Sequence, residues 1–540
     1  MLPLLRRQMF LCYGLLLAVH GCSCASRDWP THRYNSQRTA NQPHRSSLAD
    51  PSKVPSLHEL WKWHAGAVGD PDLGATGPGF SASPIVYKGR IYVGHLNGRM
   101  YAIDAAGTMI WKYPPAGSAP LVSTLCCNYS SPGIASTATI ASVKVRWFWF
   151  LKKSVKVVIF GAPDSSGSGH VWAVNASTGA LVWRSPVLAS ATNNEQIGYD
   201  SPVVYDRRVY IGISNDGDNP IIAGKVYALD LQTGALLSGF TTFVASAIRG
   251  GGLWSSPAVT PDGDVIVTTG NGCRPHNPWP PNGCNSEPSP NHALSMIKLD
   301  GVTGAMIWKF QPVPWDLDED PDWAAVPTIQ EASCGTMALA PMKDGYTHAV
   351  STGPSSPSGS PAALGLSLRR WTFPPASVPF TSGLHSDWRY IRGAASWKDA
   401  VFAVTGGWDV TADPYEGYNL LHALNTCAPD SMRVRWWLRL PGWGDPTLGA
   451  PSVTRGIVYV GTATDTLYAI ADTTVSPPTG HHCEVPSITD PTLCTANRVT
   501  PIPAVLARVA LSGSIRTTPA LARGRVYVTT DAGYLHALAP

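Results

Sequence analysis

The sequence predicts an all-β protein, an eight-bladed β-propeller whose ring is closed by a strand from the N-terminal side of the chain. Three observations carry this prediction. A unit of four short strands recurs along the chain, the composition is that of a turn-rich β protein, and the final copy of the unit stops one strand short.

The first clear copy runs from Ser83 to Trp111, SPIVYKGRIYVGHLNGRMYAIDAAGTMIW. It reads as Ser-Pro, a short strand, a Gly turn, a second strand, a loop, and a third strand ending Tyr-Ala-Ile-Asp. A turn then leads to an outer strand that closes on Trp. Period-two alternation between Gly and Asn turns specifies a β-meander rather than a helix. The order recurs from Ser130 to Trp183, from Ser201 to Leu237 and from Ser255 to Trp308. A degraded fifth copy runs from Val326-Pro327 to about Trp371, and its third strand is hard to find. A sixth starts near Gly393-Ala394 and ends at Trp436, a seventh opens with Ala450 to Ile470, and the eighth is TPALARGRVYVTTDAGYLHAL. One such unit cannot bury both faces of its sheet alone, so neighbours must stack around a ring. The eighth lacks an outer strand, and Leu60-Trp61-Lys62-Trp63, ahead of the first copy, looks like the missing one. Supplying it would remove a free sheet edge. The count is seven if the fifth copy is not a true blade.

The composition agrees. Of 540 residues, 44% are hydrophobic and only 14% are charged, with 51 Gly, 48 Pro and 20 Trp. The net charge of +4 comes from scattered residues, which argues against a nucleic-acid partner, since that needs a dense basic face. One segment stands out. VKVRWFWFLKKSVKVVIF, ending at Phe160, is longer, more basic and more aromatic than its blade requires, and it reads as an extended strand pair.

The domain plan is a signal peptide over 1–25, an N-terminal extension over 26–58 and one propeller over 59–540. Arg6 and Arg7 precede an apolar run from Met9 to Val19 and then small residues through Ala25, the pattern of a secretory leader. A lipid-anchored Cys22 is the other reading, and both give a secreted or periplasmic protein. The run is too short to prefer as a membrane anchor. Of 11 cysteines, Cys12, Cys22 and Cys24 lie in the leader, leaving eight: Cys126, Cys127, Cys273, Cys284, Cys334, Cys427, Cys483 and Cys494. An even number in an exported chain implies disulfides. Cys273/Cys284 and Cys483/Cys494, each bracketing a Pro-rich loop, are the simplest pairs. No Cys-x-x-Cys-His occurs, so there is no sign of covalently held haem.

Ala-x-Asn-x-x-Thr-Gly-x-x-x-Trp, complete from Ala173 to Trp183, resembles the repeat of the pyrroloquinoline-quinone (PQQ) alcohol dehydrogenases. So do Trp29-Pro30 and the downstream Arg38-Thr39. The resemblance covers nearly everything after the leader and implies a PQQ-repeat propeller. It does not by itself imply catalysis, because a non-catalytic outer-membrane assembly scaffold uses the same repeat.

Site residues follow from the resemblance, each beside a plain structural alternative. Trp254, in RGGGLWSSP, is similar to the Trp that lies flat against the quinone, though a Trp is also good core. Asn271, in VTTGNG, stands where the family binds calcium through an amide oxygen, though Gly-Asn-Gly is also a turn. Asp322, in WDLDEDPDWAAV, aligns with the catalytic base and metal ligand, although it sits in an acidic stretch. Ala324 replaces the extra Asp of lanthanide-using relatives, which favours calcium. Lys343, in MKDGYTHAV, stands where a cation bonds the quinone oxygens, or where a hairpin turns. Cys126-Cys127 resemble the vicinal disulfide against the other quinone face. Asp216 or Asp218 replaces the family's calcium-binding Glu, and the Arg expected after the vicinal cysteines is missing.

The resemblance thus implies PQQ- and calcium-dependent oxidation of an alcohol, with electrons passed to a separate acceptor such as a periplasmic cytochrome. The pattern is nearest to the polyvinyl-alcohol-dehydrogenase-like branch, which points to a secondary or polymeric alcohol. The rival class is a scaffold whose propeller binds other proteins. No Ser/His/Asp arrangement or metal-binding His pair supports a hydrolase.

Overall fold

The computed structural model describes residues 27–66, 79–122, 133–148, 151–198, 200–215, 221–246, 249–272, 292–313, 322–344, 346–353, 365–373, 393–408, 417–441, 449–475 and 502–540. They form eight antiparallel four-stranded sheets. Seven are made from consecutive strands. The eighth joins Ala520–Ala522, Arg525–Thr529 and Tyr534–Ala539 to His58–His64, which pairs antiparallel with the last strand. The expected closing strand therefore supplies the eighth blade's outer edge. The fifth unit is a complete blade, with its third strand at Thr347–Ser351. That strand lacks the ending that closes the third strand as Tyr-Ala-Ile-Asp in blade one and Tyr-Ala-Leu-Asp in blade three.

Each part of the repeat has a physical task. In blade one, the second and third strands, Arg90–His95 and Arg99–Ile103, are buried almost throughout, because neighbouring blades cover both faces. In the outer strand Met109–Tyr113, Met109 and Ile110 are exposed, Lys112 and Tyr113 are half-buried, and only Trp111 is buried. That Trp docks on the next blade. Trp111 donates to the Ala176 carbonyl at 3.2 Å, and its ring lies where a Cβ on Gly179 would come within 2.8 Å. Gly179 also has φ +73°, so the Thr-Gly turn needs glycine for both shape and space. Trp183 and Trp61 make the same bond to Leu231 and Ala105. Trp and Thr-Gly are thus two halves of one interblade joint.

Ser-Pro is a second joint. Thr518 N–H donates to Ser83 Oγ, Ser83 N–H to Thr137 Oγ1, Thr137 N–H to Ser201 Oγ and Ser201 N–H to Ser256 Oγ, all within 3.0 Å. In blade two the position is therefore Thr137-Ala138, and not the Ser-Ser-Pro at Ser130, which lies outside the described residues. The matching positions in blades five to seven, Val326, Gly393 and Ala450, carry no hydroxyl.

The N-terminal extension closes the axis. In six of the eight blades the second residue of the first strand points its N–H inward, and one pass of the chain accepts these bonds in order. Val86 bonds Trp29, Ile140 bonds Pro30, Val259 bonds Ser36, Ile329 bonds Gln37, Ser396 bonds Thr39 and Val453 bonds Ala40. Arg38, fully buried, serves blades three and four by donating to the carbonyls of Ser201 and Pro257 at 2.9 Å. Gln42 returns to blade eight through Leu521. Burial pulls the Arg33 and Arg38 guanidinium pKa values down to about 9, and the nearby Asp200 carboxylate opposes that shift at Arg38.

One disulfide joins two blades among the described residues, Cys334 to Cys427. The sequence did not single out this pair; the two expected local pairs lie outside the described residues. Cys334 and Cys427 each sit in a turn beside a strand end of neighbouring blades, which brings together residues 93 apart.

Two expectations follow. Arg38→Ala leaves the Ser201, Pro257 and His32 carbonyls without their buried donor and should cost roughly 3–5 kcal/mol in urea unfolding. The second concerns pH. Burial depresses His95 and His292 to about 4 and His422 to about 3. These groups stay neutral in the fold but protonate in the unfolded chain below its ordinary value of about 6.5, so stability falls as pH drops. Between pH 7 and 5 each should cost about 2 kcal/mol, and His422→Phe should remove its share of the slope.

Candidate functional site

The residues singled out in the sequence occupy loops of two kinds. Trp254 and Asp322 precede the first strands of blades four and five, Ala258–Val259 and Thr328–Ala332. Asn271 and Lys343 follow the second strands of the same blades, Val265–Thr268 and Gly335–Pro341. In an antiparallel four-stranded blade these two connections lie at the same end, so topology alone delivers all four to one face.

There they meet. Lys343 Nζ lies 2.6 Å from Asp322 Oδ1 and 5.1 Å from the centroid of the Trp254 ring. The Lys343 N–H also donates to the Asp322 carbonyl at 3.1 Å, which ties the two loops together by backbone as well. Asp322 is fully buried, Lys343 nearly so, and Trp254 is half-buried. Asn271 joins through its neighbours. Gly270 donates to the Gly252 carbonyl, the Asn271 carbonyl accepts from Gly251, and a Cβ on Gly270 would come within 2.6 Å of Trp254 Nε1. Gly270 is thus the residue that lets the Asn271 loop pass against the indole. Reading the segment for its amide alone missed it; the run Gly270-Asn271-Gly272 was the available signal.

A supporting group was also missed. Asp344 accepts from the Tyr346 N–H at 2.9 Å and lies 2.8 Å from His348 Nε2. It fixes the turn that presents Lys343. Lys343-Asp344 is therefore both a hairpin turn and part of the cluster. His348 is packed against Trp323, Phe310 and Tyr346, so the turn rests on a buried aromatic bed.

Cys126, Cys127, Asp216 and Asp218 lie outside the described residues. Among the described residues no group of three or more His, Cys, Asp and Glu could hold a metal ion. What is described fits the chemistry of a planar, metal-assisted cofactor in two respects. The half-exposed indole is a platform on which a flat ring can stack. The Asn271 amide and the Asp322 carboxylate are oxygen donors of the kind a hard cation takes. Lys343 sets a positive charge between the platform and the carboxylate.

Comparison with known proteins gives a consistent picture. A family model described as outer membrane protein assembly factor BamB matches residues 58–275. The quinohemoprotein alcohol dehydrogenase ADH IIB of Pseudomonas putida is 28% identical over 333 residues, 55% of this chain and 41% of that protein. The dehydrogenase subunit of the quinone alcohol dehydrogenase of Gluconacetobacter polyoxogenes is 27% identical over 283 residues, 45% of this chain and 35% of that one. The chain thus spans less than half the length of these curated relatives. Among solved structures, the Comamonas testosteroni quinohemoprotein alcohol dehydrogenase superposes with TM-score 0.60 at 17% identity, covering 96% of this chain and 81% of that one. A europium-containing methanol dehydrogenase gives 0.62 at 14%, with 95% and 98% covered.

The Lys343–Asp322 pair makes a prediction that needs no cofactor. Lys343→Met strands a buried carboxylate and should lower stability in urea by roughly 3 kcal/mol. The double variant with Asp322→Asn should recover much of that loss. Additive losses in the double-variant cycle would mean that the two side chains do not interact.

Proposed function

We propose that this chain, a PQQ-repeat propeller similar to the quinoprotein alcohol dehydrogenases, oxidises an alcohol with bound PQQ and calcium outside the cytoplasm. The observation that carries the reading is the meeting of Trp254, Lys343 and Asp322 on the face where blades four and five open. Each of the three has a distinct task there.

Trp254 offers its flat face to the cofactor ring, and Gly270 keeps the indole close to the Asn271 loop. Lys343 is a compact donor that can reach carbonyl oxygens of a ring stacked on the indole. Asn271, Asp322 and one of Asp216 or Asp218 would hold calcium through oxygen atoms. When bound with calcium, PQQ would supply the two-electron acceptor. Asp322 takes the proton from the substrate hydroxyl, the task of a carboxylate placed within hydrogen-bond reach of it. Burial of the Asp322–Lys343 pair keeps bulk water from competing for that proton.

The finer assignments belong to the same proposal. A secondary or polymeric alcohol is the substrate class, Cys126 and Cys127 form a stiff platform over the opposite cofactor face, and a periplasmic cytochrome accepts the electrons. A secretory leader, or an acyl chain on Cys22, puts the protein in that compartment. The scaffold alternative gains only from the description of the family model that matches residues 58–275.

Calorimetric titration of the calcium-loaded protein with PQQ tests the reading. Trp254→Ala should weaken PQQ binding at least tenfold, the loss of about 1.4 kcal/mol of stacking and burial. Asp322→Asn should lower dye-linked alcohol oxidation by about 10²–10⁴-fold, well beyond its effect on PQQ affinity. An intact wild-type protein that binds no PQQ with calcium present would leave the scaffold as the better account.

A further inference from the structure

The basic aromatic segment that stood out in the sequence is a long hairpin. Its strands, Thr139–Phe148 and Leu151–Pro163, have 10 and 13 residues, whereas the first strands of blades one, three and four have three, three and two. The base is part of blade two. Val143 is buried opposite Val155, and Val145 and Val155 pack on the core that includes Leu229 and Val209. Gln232 of blade three clamps it there, with its amide oxygen on the Lys144 N–H and its NH₂ on the Lys144 carbonyl. Beyond that clamp the hairpin runs outward.

Register and exposure give this projection two distinct zones. Ser142 pairs with Lys156, Lys144 with Ser154, and Arg146 with Lys152. With side chains alternating along a strand, Lys144, Arg146, Lys152 and Lys156 share one face, and all four are exposed. No acidic residue occurs between Thr139 and Pro163. Arg146 directly opposite Lys152 is a like-charge pair, unfavourable unless an anionic surface meets it. At the end stand Phe148, 61% exposed, and Leu151, 44% exposed. The chain between and beside them reads Trp147, Trp149 and Phe150.

We propose that this hairpin docks the protein on a lipid bilayer bearing anionic headgroups. Charge complementarity selects the partner's sign, and the order of the zones selects a bilayer over an acidic protein. An acidic protein would answer the cations but leave Phe148 and Leu151 in water. A bilayer answers both, because aromatic rings favour its interface while cations a few residues behind lie level with the phosphates. Arg146 and Lys144 are two and four residues behind Phe148, a rise of about 7 and 13 Å at strand spacing. The hairpin extends from the far end of its blade's first strand, opposite the loops that carry Trp254 and Asp322. A docked propeller would therefore keep that face toward solution. The inference does not depend on the reaction proposed above.

Vesicle flotation tests it, using the protein with Cys22→Ser so that no acyl chain contributes. The probes are phosphatidylcholine vesicles with and without roughly a third of phosphatidylglycerol. Wild-type protein should float with the anionic vesicles, should not float with the neutral ones, and should be released at about 1 M salt, where charges are screened beyond about 3 Å. Arg146→Ser with Lys152→Ser should weaken partition about 25-fold, at about fivefold per cation. Phe148→Ser with Leu151→Ser should weaken it at least tenfold, while thermal unfolding of both variants stays unchanged. The salt and lipid dependence of the wild type stands even if a variant misfolds. No flotation with anionic vesicles overturns the proposal. So does binding that is indifferent to salt and to both pairs of substitutions, and so does capture by an acidic protein probe without vesicle binding.

Discussion

Everything in this ring rests on how the inner edges of its first strands are satisfied. A blade has four strands, and the innermost presents a row of N–H and C=O groups to the axis. Buried there without partners, those groups would cost a large part of the stability of the domain. Here the segment from Trp29 to Gln42 answers them in a single circuit, one blade after another. The circuit imposes its own strain. Arg33, Tyr34, Arg38 and Ala40 all have positive φ, between 50° and 78°, a region that side-chain-bearing residues avoid. Such a path holds only when the blades already define it, so the extension and the ring order one another. Two buried guanidiniums complete the arrangement by reaching carbonyls the backbone circuit does not serve.

The same logic explains which parts of the fold were legible in the sequence. A residue that performs the same joint in several blades recurs at a fixed period, and recurrence is readable. The Trp that docks on the next blade's glycine turn and the Ser that receives the preceding blade's N–H are such residues, and the outer strand at Leu60–Trp63 was legible because the last unit lacked one. What did not recur was not readable. The third strand of blade five, Thr347–Ser351, is buried on both faces but ends without the Tyr-Ala-x-Asp signal. The register of blade two begins at Thr137 rather than at the nearby Ser-Ser-Pro, because hydrogen bonding and not dipeptide identity sets the strand start. The circuit of the extension and the Cys334–Cys427 bond each join positions remote in sequence, where no local pattern points to the partner.

The candidate site shows a different balance. The resemblance named Trp254, Asn271, Asp322 and Lys343 separately, and each had an ordinary structural reading. Their assembly around one indole depends on blade topology, which sends first-strand entries and second-to-third loops to the same end. Sequence could supply that once the propeller was recognised. It could not supply the supports. Gly270 matters for the carbon it lacks, and Asp344 and His348 matter because a buried pair stiffens the Lys343 turn. Supports of this kind act through contacts that only the folded geometry defines.

The two ends of the ring are built to different rules. At the end holding Trp254, charged side chains are buried and matched at short range, as between Lys343 and Asp322. Removing either partner leaves a charge in a poor solvent. At the other end, charge is presented outward, and the first two strands of blade two, 10 and 13 residues against 3 and 6 in blade one, form a projection whose cations face water and whose Phe148 and Leu151 are exposed. A buried ion pair holds a geometry, whereas an exposed unmatched cluster attracts something else. Blades are stiff and share joints around the whole circumference, so contacts made at one end need not disturb the other. The propeller thus keeps a preorganised site and an adhesive surface in one body without asking the same residues to serve both.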